Sequence, residues 1–224
     1  LRRYARIFQR KEGDEINIPV SCITDRDVMP ECAPAICIDE KYEDKDNWPK
    51  KNRKWRVESE IEDKEKYIQK IEKKANGQNV KTFIPEQWTL EYELAANGLG
   101  EEMLKTIATM LAEKIQDKEK NEEKKAELLE KYTKEYNEYQ NKEAKASYVY
   151  SFFSHKLVSK AEFAQQFSFD LENIFKGKQV EEIVAVLPNY LVKAIEEYEF
   201  SGYSCLPRKR KNDYFGSKVG NTIP

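Results

Sequence analysis

The stretch 16-INIPVSCITDRDVMP-30 decides how this chain is read. Val20, Cys22 and Ile23 extend an apolar run that begins at Ile18. Near-continuous apolar character suits a strand covered on both faces, as in a parallel α/β sheet, and predicts a strand over Ile16 to Ile23. Pro19 fits only near the start of such a strand, because it has no amide N–H for a ladder. The run empties into Thr24-Asp25-Arg26-Asp27. In extended backbone, residues two apart point the same way, which puts Asp25 and Asp27 on one side and Arg26 on the other. Ligands of α/β sheets collect just past the carboxyl ends of strands. Two clustered carboxylates there suit a hard divalent cation such as Mg²⁺ or Mn²⁺. The plainer reading is an acidic turn, since Asp at a strand end often bonds to its own backbone. The D-x-D pattern alone leaves both open.

Working outward, residues 2–10 read as a short helix with Tyr4, Ile7 and Phe8 on one face. The sequence opens without Met and with that pattern under way, which reads as a piece of a longer protein. Met29 to about Lys51 carries three prolines and few apolar residues, so a long loop is expected. Residues 53–74 alternate charge sign and space Ile61, Ile68 and Ile71 as a helix does, with Asn76-Gly77 stopping it. NVKTFIP is a short strand, and WTLEYELA opens another helix with Thr89 as its cap. There Glu91 and Glu93, two apart on a helix, cannot share a face. At most one of them joins Asp25 and Asp27, and the residues alone do not say which.

From Glu101 to about Ser147 helix dominates, with an apolar stripe from Met103 to Ile115 and a second from Leu128 to Tyr139. The polar stretch QDKEKNEEKK between them reads as a hinge or exposed connection, and the pair as an antiparallel hairpin: scaffold, or a face for dimerisation. Residues 159–176 form a helix capped by Ser159, with Phe163, Phe167 and Leu171 on its buried side. Lys160 falls in its first turn, where the helix dipole disfavours a cation. A nearby anion would offset that; a solvated lysine is the plain alternative. Pro188 divides the segment 180–200 into two helical pieces. After Tyr203 the tail loses periodicity and reads as flexible, with a Lys209-Arg210-Lys211 cluster as the best local basic patch.

Composition narrows the classes. Charged residues make up 36% of the 224, but 39 Lys+Arg nearly balance 41 Asp+Glu, so any DNA-binding surface must be a local patch. Cys22, Cys32, Cys37 and Cys205 include no CxxC pair and His155 is the only histidine, which argues against structural zinc. No apolar run is long enough to span a membrane, so a cytoplasmic protein with reduced thiols is expected. Every glycine is isolated, so there is no G-x-x-x-x-G-K-[ST] phosphate loop in this chain.

RRYARIFQR, IPVSCITDRDVMP, GQNVKTFIPEQWTLEYELA and SKAEFAQQF, in that order and spacing, resemble the C-terminal Toprim nuclease region of OLD-family (overcoming lysogenization defect) ATP-dependent endonucleases. The likeness is greatest to class 2 members, commonly encoded beside a superfamily 1 helicase, and it spans roughly residues 1–200. It implies an α/β, partial Toprim (Rossmann-like) domain with parallel strands and large helical insertions, mostly helical by residue count. Residues 1–98 would be the partial core with an insertion near 53–75, 99–148 a hairpin insertion, 149–203 the C-terminal Toprim helices and 204–224 a flexible basic tail. By the same resemblance Asp25 and Asp27 are metal ligands, Leu90-Glu91 matches the family's Leu-Glu motif and favours Glu91 over Glu93, and Lys160 faces the substrate phosphate. The implied activity is two-metal hydrolysis of DNA with Mg²⁺ or Mn²⁺, expected to serve antiphage defence. ATP would act only through an ATPase domain absent from this chain, and a homodimer or helicase partner is expected as well. A complete Toprim domain begins with a strand leading into a glutamate and a crossover helix. A βαβ unit needs about 30 residues, and 17 precede Ile18. That glutamate is therefore expected upstream, and this chain is expected to cleave weakly or not at all. The rival classes are a silent dimerisation or interaction module and a Toprim enzyme of primase or topoisomerase type, the latter needing a nucleophilic tyrosine among the 13 present.

Overall fold

The computed structural model describes residues 2–38, 46–48, 53–114 and 118–200. Strand β1 (Val20–Ile23) pairs in parallel with β2 (Val80–Phe83), Val20 opposite Val80 and Ile23 opposite Phe83. β1 is shorter than expected at its start. Pro19 has no N–H to give, and the carbonyl of Ile16 instead accepts the side-chain amide of Asn79 at 2.8 Å. The pair is covered on both faces, as its apolar run required. On one side helix α10 (Asn189–Phe200) takes the Ser21 hydroxyl on the carbonyl of Ala194 at 2.7 Å and pairs Glu197 with Lys81. On the other, Val20, Cys22 and Val80 meet Ala5, Phe8 and Ala75.

The N-terminal segment corrects the expected helix over 2–10. Helix α1 spans only Arg2–Ala5 and passes into a 3₁₀ turn, Arg6–Phe8. Residues three apart eclipse in a 3₁₀ turn. Ala5 and Phe8 therefore face the sheet, while Tyr4 and Ile7 stay 74% and 66% exposed. The helix expected over 53–74 is also shorter. Val57 bridges Met29 in parallel, the Met29 amide donating to Arg56 and the Glu58 amide to Met29, so this stretch is extended. Helix α3 (Lys64–Glu72) starts only after Asp63, whose carboxylate caps it by accepting the Lys66 N–H at 2.8 Å. The loop expected after Met29 contains helix α2 (Ala33–Cys37), with Pro34 in its first turn; much of its remainder, 39–45 and 49–52, lies outside the described residues.

Most of the chain is helix. Helix α4 (Leu90–Leu94) runs into a wide π turn, Ala95–Leu99, where Gly98 takes φ 110. That conformation favours glycine, and it redirects the chain into α5 (Gly100–Glu113). Helix α6 (Lys118–Glu138) packs back on α5, so the expected hairpin is present. The helices approach closely at Gly100, where a Cβ would stand 2.8 Å from the Tyr136 hydroxyl. Most of the polar run expected as a hinge is the first two turns of α6; Ile115 lies outside the described residues. Helix α7 (Lys142–Ser154) follows. Helices α8 (Lys160–Phe175), α9 (Val180–Val184) and α10 follow, with Pro188 between the last two. The main core lies between α5 and α7, where Met103, Leu104, Ile107 and Val149 are fully buried. Cys205 and the basic cluster at 209–211 lie outside the described residues. No described helix is long and apolar enough to cross a membrane. A mostly helical chain with a two-stranded parallel sheet is compatible with an α/β fold.

Candidate functional site

Past the carboxyl end of the sheet the two strands stay tied together. The Thr24 amide donates to Phe83 at 3.2 Å and the Arg26 amide to Trp88 at 3.0 Å. This fixes the start of α4 beside Asp25. Thr89 caps that helix by accepting the Tyr92 N–H at 3.3 Å, as its position in WTLEYELA suggested. The Leu90 N–H, another donor that the helix start leaves free, goes to Oδ1 of Asp25 at 3.2 Å. Glu91 follows in the same turn, and its Oε2 accepts from Nζ of Lys160 at 3.0 Å. Lys160 opens α8, whose cap Ser159 accepts the Glu162 N–H at 3.5 Å. Three residues far apart in sequence, 25, 91 and 160, thus meet at one end of the sheet.

The site is charged unevenly. Burial lifts the Asp25 carboxyl above its usual range; the Leu90 N–H opposes this, the charge of Glu91 adds to it, Lys160 opposes and Asp27 adds. Burial alone would pull the Lys160 ammonium down, but the hydrogen bond and charge of Glu91, with Tyr150, outweigh it and hold Lys160 above its ordinary value. Its Nζ also lies 4.7 Å from the centre of the Tyr150 ring, within cation–π range. Tyr150 in turn packs on Trp88 with ring centres 4.1 Å apart. Lys160 is therefore held by Glu91 and the Tyr150 ring while its side chain stays 43% exposed.

Asp27 does not follow the extended geometry expected of it. Its φ is 58, in the left-handed region, so the two-residue alternation stops before it, and its side chain is exposed. Left-handed backbone is tolerated by Asp better than by most residues. Arg26, expected to face away from the acids, is indeed turned inward, 3% exposed, where it pairs with Glu58 at 3.1 Å and donates to the carbonyl of Glu86. The Tyr67 hydroxyl donates to the carbonyl of Arg26 at 3.0 Å.

Glu91 and Glu93 differ in what holds them. Glu93 is 6% exposed and engaged in holding backbone: it accepts the Gln87 N–H at 2.7 Å and the Asn97 side-chain amide at 3.3 Å. Burial raises its carboxyl, with those donors opposing. It stands outside the cluster, as two residues on one helix must. Three residues went unremarked in the sequence: Tyr150, Tyr67 and Tyr190. Tyr190 is 6% exposed, its hydroxyl has no partner among the described residues, and burial, then the charges of Glu93, Asp25 and Glu91, push its phenol up. A buried tyrosine reads in sequence as core, and nothing in its spacing distinguishes these three.

Among the described residues no three His, Cys, Asp or Glu side chains are gathered closely enough to hold a metal ion as they stand. The donor chemistry nevertheless fits a hard divalent cation: Asp25, Asp27 and Glu91 offer only oxygens, and their mutual repulsion is part of what lifts Asp25. No family model, curated protein or solved structure matches the chain.

Proposed function

We propose that this chain is the nuclease part of a metal-dependent DNA endonuclease of the OLD type, hydrolysing a phosphodiester at Asp25, Asp27, Glu91 and Lys160. The observation that supports this best is the convergence of Asp25, Glu91 and Lys160 past the carboxyl ends of two parallel strands, where α/β sheets hold their ligands. Divalent cations such as Mg²⁺ or Mn²⁺, when bound, supply an activated water and stabilise the leaving oxygen. Asp25, Asp27 and Glu91 would hold them. The Leu90 N–H orients the Asp25 carboxylate from the start of α4. Lys160, held by Glu91 and the Tyr150 ring, supplies positive charge where the phosphate gathers negative charge in the transition state. The Toprim assignment, an upstream ATPase domain that brings ATP, a homodimer, a helicase partner, antiphage defence and a cytoplasmic location belong to the same proposal.

The topoisomerase alternative finds little support near the acids. Tyr190 is buried and its phenol is pushed up, the wrong direction for a nucleophile.

The test is nicking of supercoiled plasmid with Mn²⁺ or Mg²⁺. The chain is assayed beside a form extended upstream through the expected glutamate, each with an Asp25→Ala/Asp27→Ala control. Cleavage by the extended form that vanishes in its control supports the nuclease. A folded extended protein that is inert with every metal and DNA form tried gives the lead to the interaction module.

A further inference from the structure

At the opposite end of the sheet, before the strands begin, a pocket of about 350 Å³ opens between residues 6–11 and the turn at 77–78. Its lining is Arg6, Gln9, Arg10, Lys11, Gly77 and Gln78, with no acid among them. The walls are fastened through their amides. The Gln9 side chain donates to the carbonyls of Ala75 and Gly77 at 2.7 and 3.0 Å. Gln78 clamps the main chain of Arg10 from both sides, accepting its N–H at 3.0 Å and donating to its carbonyl at 2.8 Å. To do so Gln78 takes φ 50, a strained conformation for a residue other than glycine. Gly77 could not readily be larger, since a Cβ there would lie 3.1 Å from Nε2 of Gln9.

The main chain of Arg10 is thus held in place, and none of the three cations forms an ion pair among the described residues. In a chain whose charges nearly cancel, the lining is locally positive. Guanidinium groups suit the tetrahedral oxygens of phosphate.

We propose that this pocket binds a backbone phosphate of duplex DNA, distinct from the phosphate that is cut. The inference rests on the nuclease reading for its ligand. The pocket lies before the starts of the two strands and the acids past their ends, so the length of the sheet stands between them. The pocket sets where the duplex lies, and the acids act on a different bond further along it.

The test is binding of a fluorescein-labelled duplex followed by anisotropy in EDTA, across a salt series, so that no cleavage intervenes. Arg6→Ala/Arg10→Ala/Lys11→Ala is compared with Lys125→Ala/Lys131→Ala/Lys134→Ala on α6, which removes equal charge elsewhere. The pocket variant is expected to bind at least tenfold more weakly at low salt. Its plot of log K against log salt should be shallower by about 0.9, the share of one phosphate no longer neutralised, while the α6 variant keeps the wild-type slope. Arg10→Gln alone should weaken binding and lower the slope in the same direction by no more than about 0.9, and it guards against misfolding of the triple variant. An unchanged slope in the pocket variants, an equal loss in the α6 variant, or no DNA binding by the wild type overturns the proposal. Plasmid nicking is scored separately. An extended form that is inert in nicking while the chain still binds through the pocket removes the nuclease reading and leaves the pocket standing; an extended form that cuts, with an unchanged slope in the pocket variant, does the reverse.

Discussion

The helical body and the two-stranded sheet divide stability and chemistry between them. Around α5 and α7 a continuous core buries Met103, Leu104, Ile107, Val149, Phe152 and Phe163 almost completely. Beneath the sheet the fully enclosed set is only Ala5, Ala75 and Val80. A two-stranded sheet is marginal on its own, so these strands persist because α10 and the N-terminal segment cover them. Both charged sites nevertheless lie at the ends of these strands, acids at one and cations at the other. The proposed chemistry thus lies on the element with the smaller enclosed core.

That contrast can be broken most directly in the core. Leu104→Ala should lower unfolding free energy by about 2–5 kcal/mol, read by urea denaturation. Val80→Ala removes about two methylene equivalents from the small cluster and should cost about 1.6 kcal/mol. Equal losses from the two would show that the sheet is as integral as the helices. Hydrogen exchange sharpens the same point: amides of β1 and β2 should exchange through smaller openings than those of α5 and α7.

The two glutamates of α4 give a finer contrast. Glu93→Ala should destabilise by about 1–3 kcal/mol, because it leaves the Gln87 N–H without its acceptor, while the Asn97 amide keeps the main-chain carbonyl of residue 93. Glu91→Ala should leave stability nearly unchanged yet abolish metal-dependent nicking by the extended form. The reverse pattern would move the site to Glu93.

The smallest expected effect is electrostatic. Asp25 and Glu93 titrate above their usual range, so their neutral forms favour the fold; that contribution is complete below their unfolded pKa values and is lost as pH rises through the folded ones. Asp25→Asn keeps an acceptor for Leu90 and removes the ionisation. It should raise the melting temperature slightly at neutral pH without metal, with the gain fading toward acid pH. A fall instead would mean that the carboxylate is better compensated than its surroundings suggest.

Local features were legible in the sequence. Thr89 and Ser159 announce helix starts, and the apolar run before Asp25 announces a covered strand, because each signal lies within a few residues of its effect. Proximity of Lys160 to Glu91 was expected only through the family resemblance, since 69 residues separate them. The left-handed Asp27 was not legible, because the bonds holding its neighbour Arg26 come from Glu58 and Glu86. Glu91 and Glu93 could not be told apart because helical spacing separates their faces without saying which face is inward. The clamp of Gln78 on Arg10 likewise joins segments 68 residues apart.

The stitching of residues 24–26 to 83–90 also bears on how the chain tolerates changes of length. Phe83, Trp88 and Leu90 each take up a bond to Thr24, Arg26 or Asp25, so the segment between β2 and α4 is counted out residue by residue against its partner. Deleting one residue between Phe83 and Trp88 would slide Glu91 off its place beside Lys160. The short link after β2 should therefore keep its length.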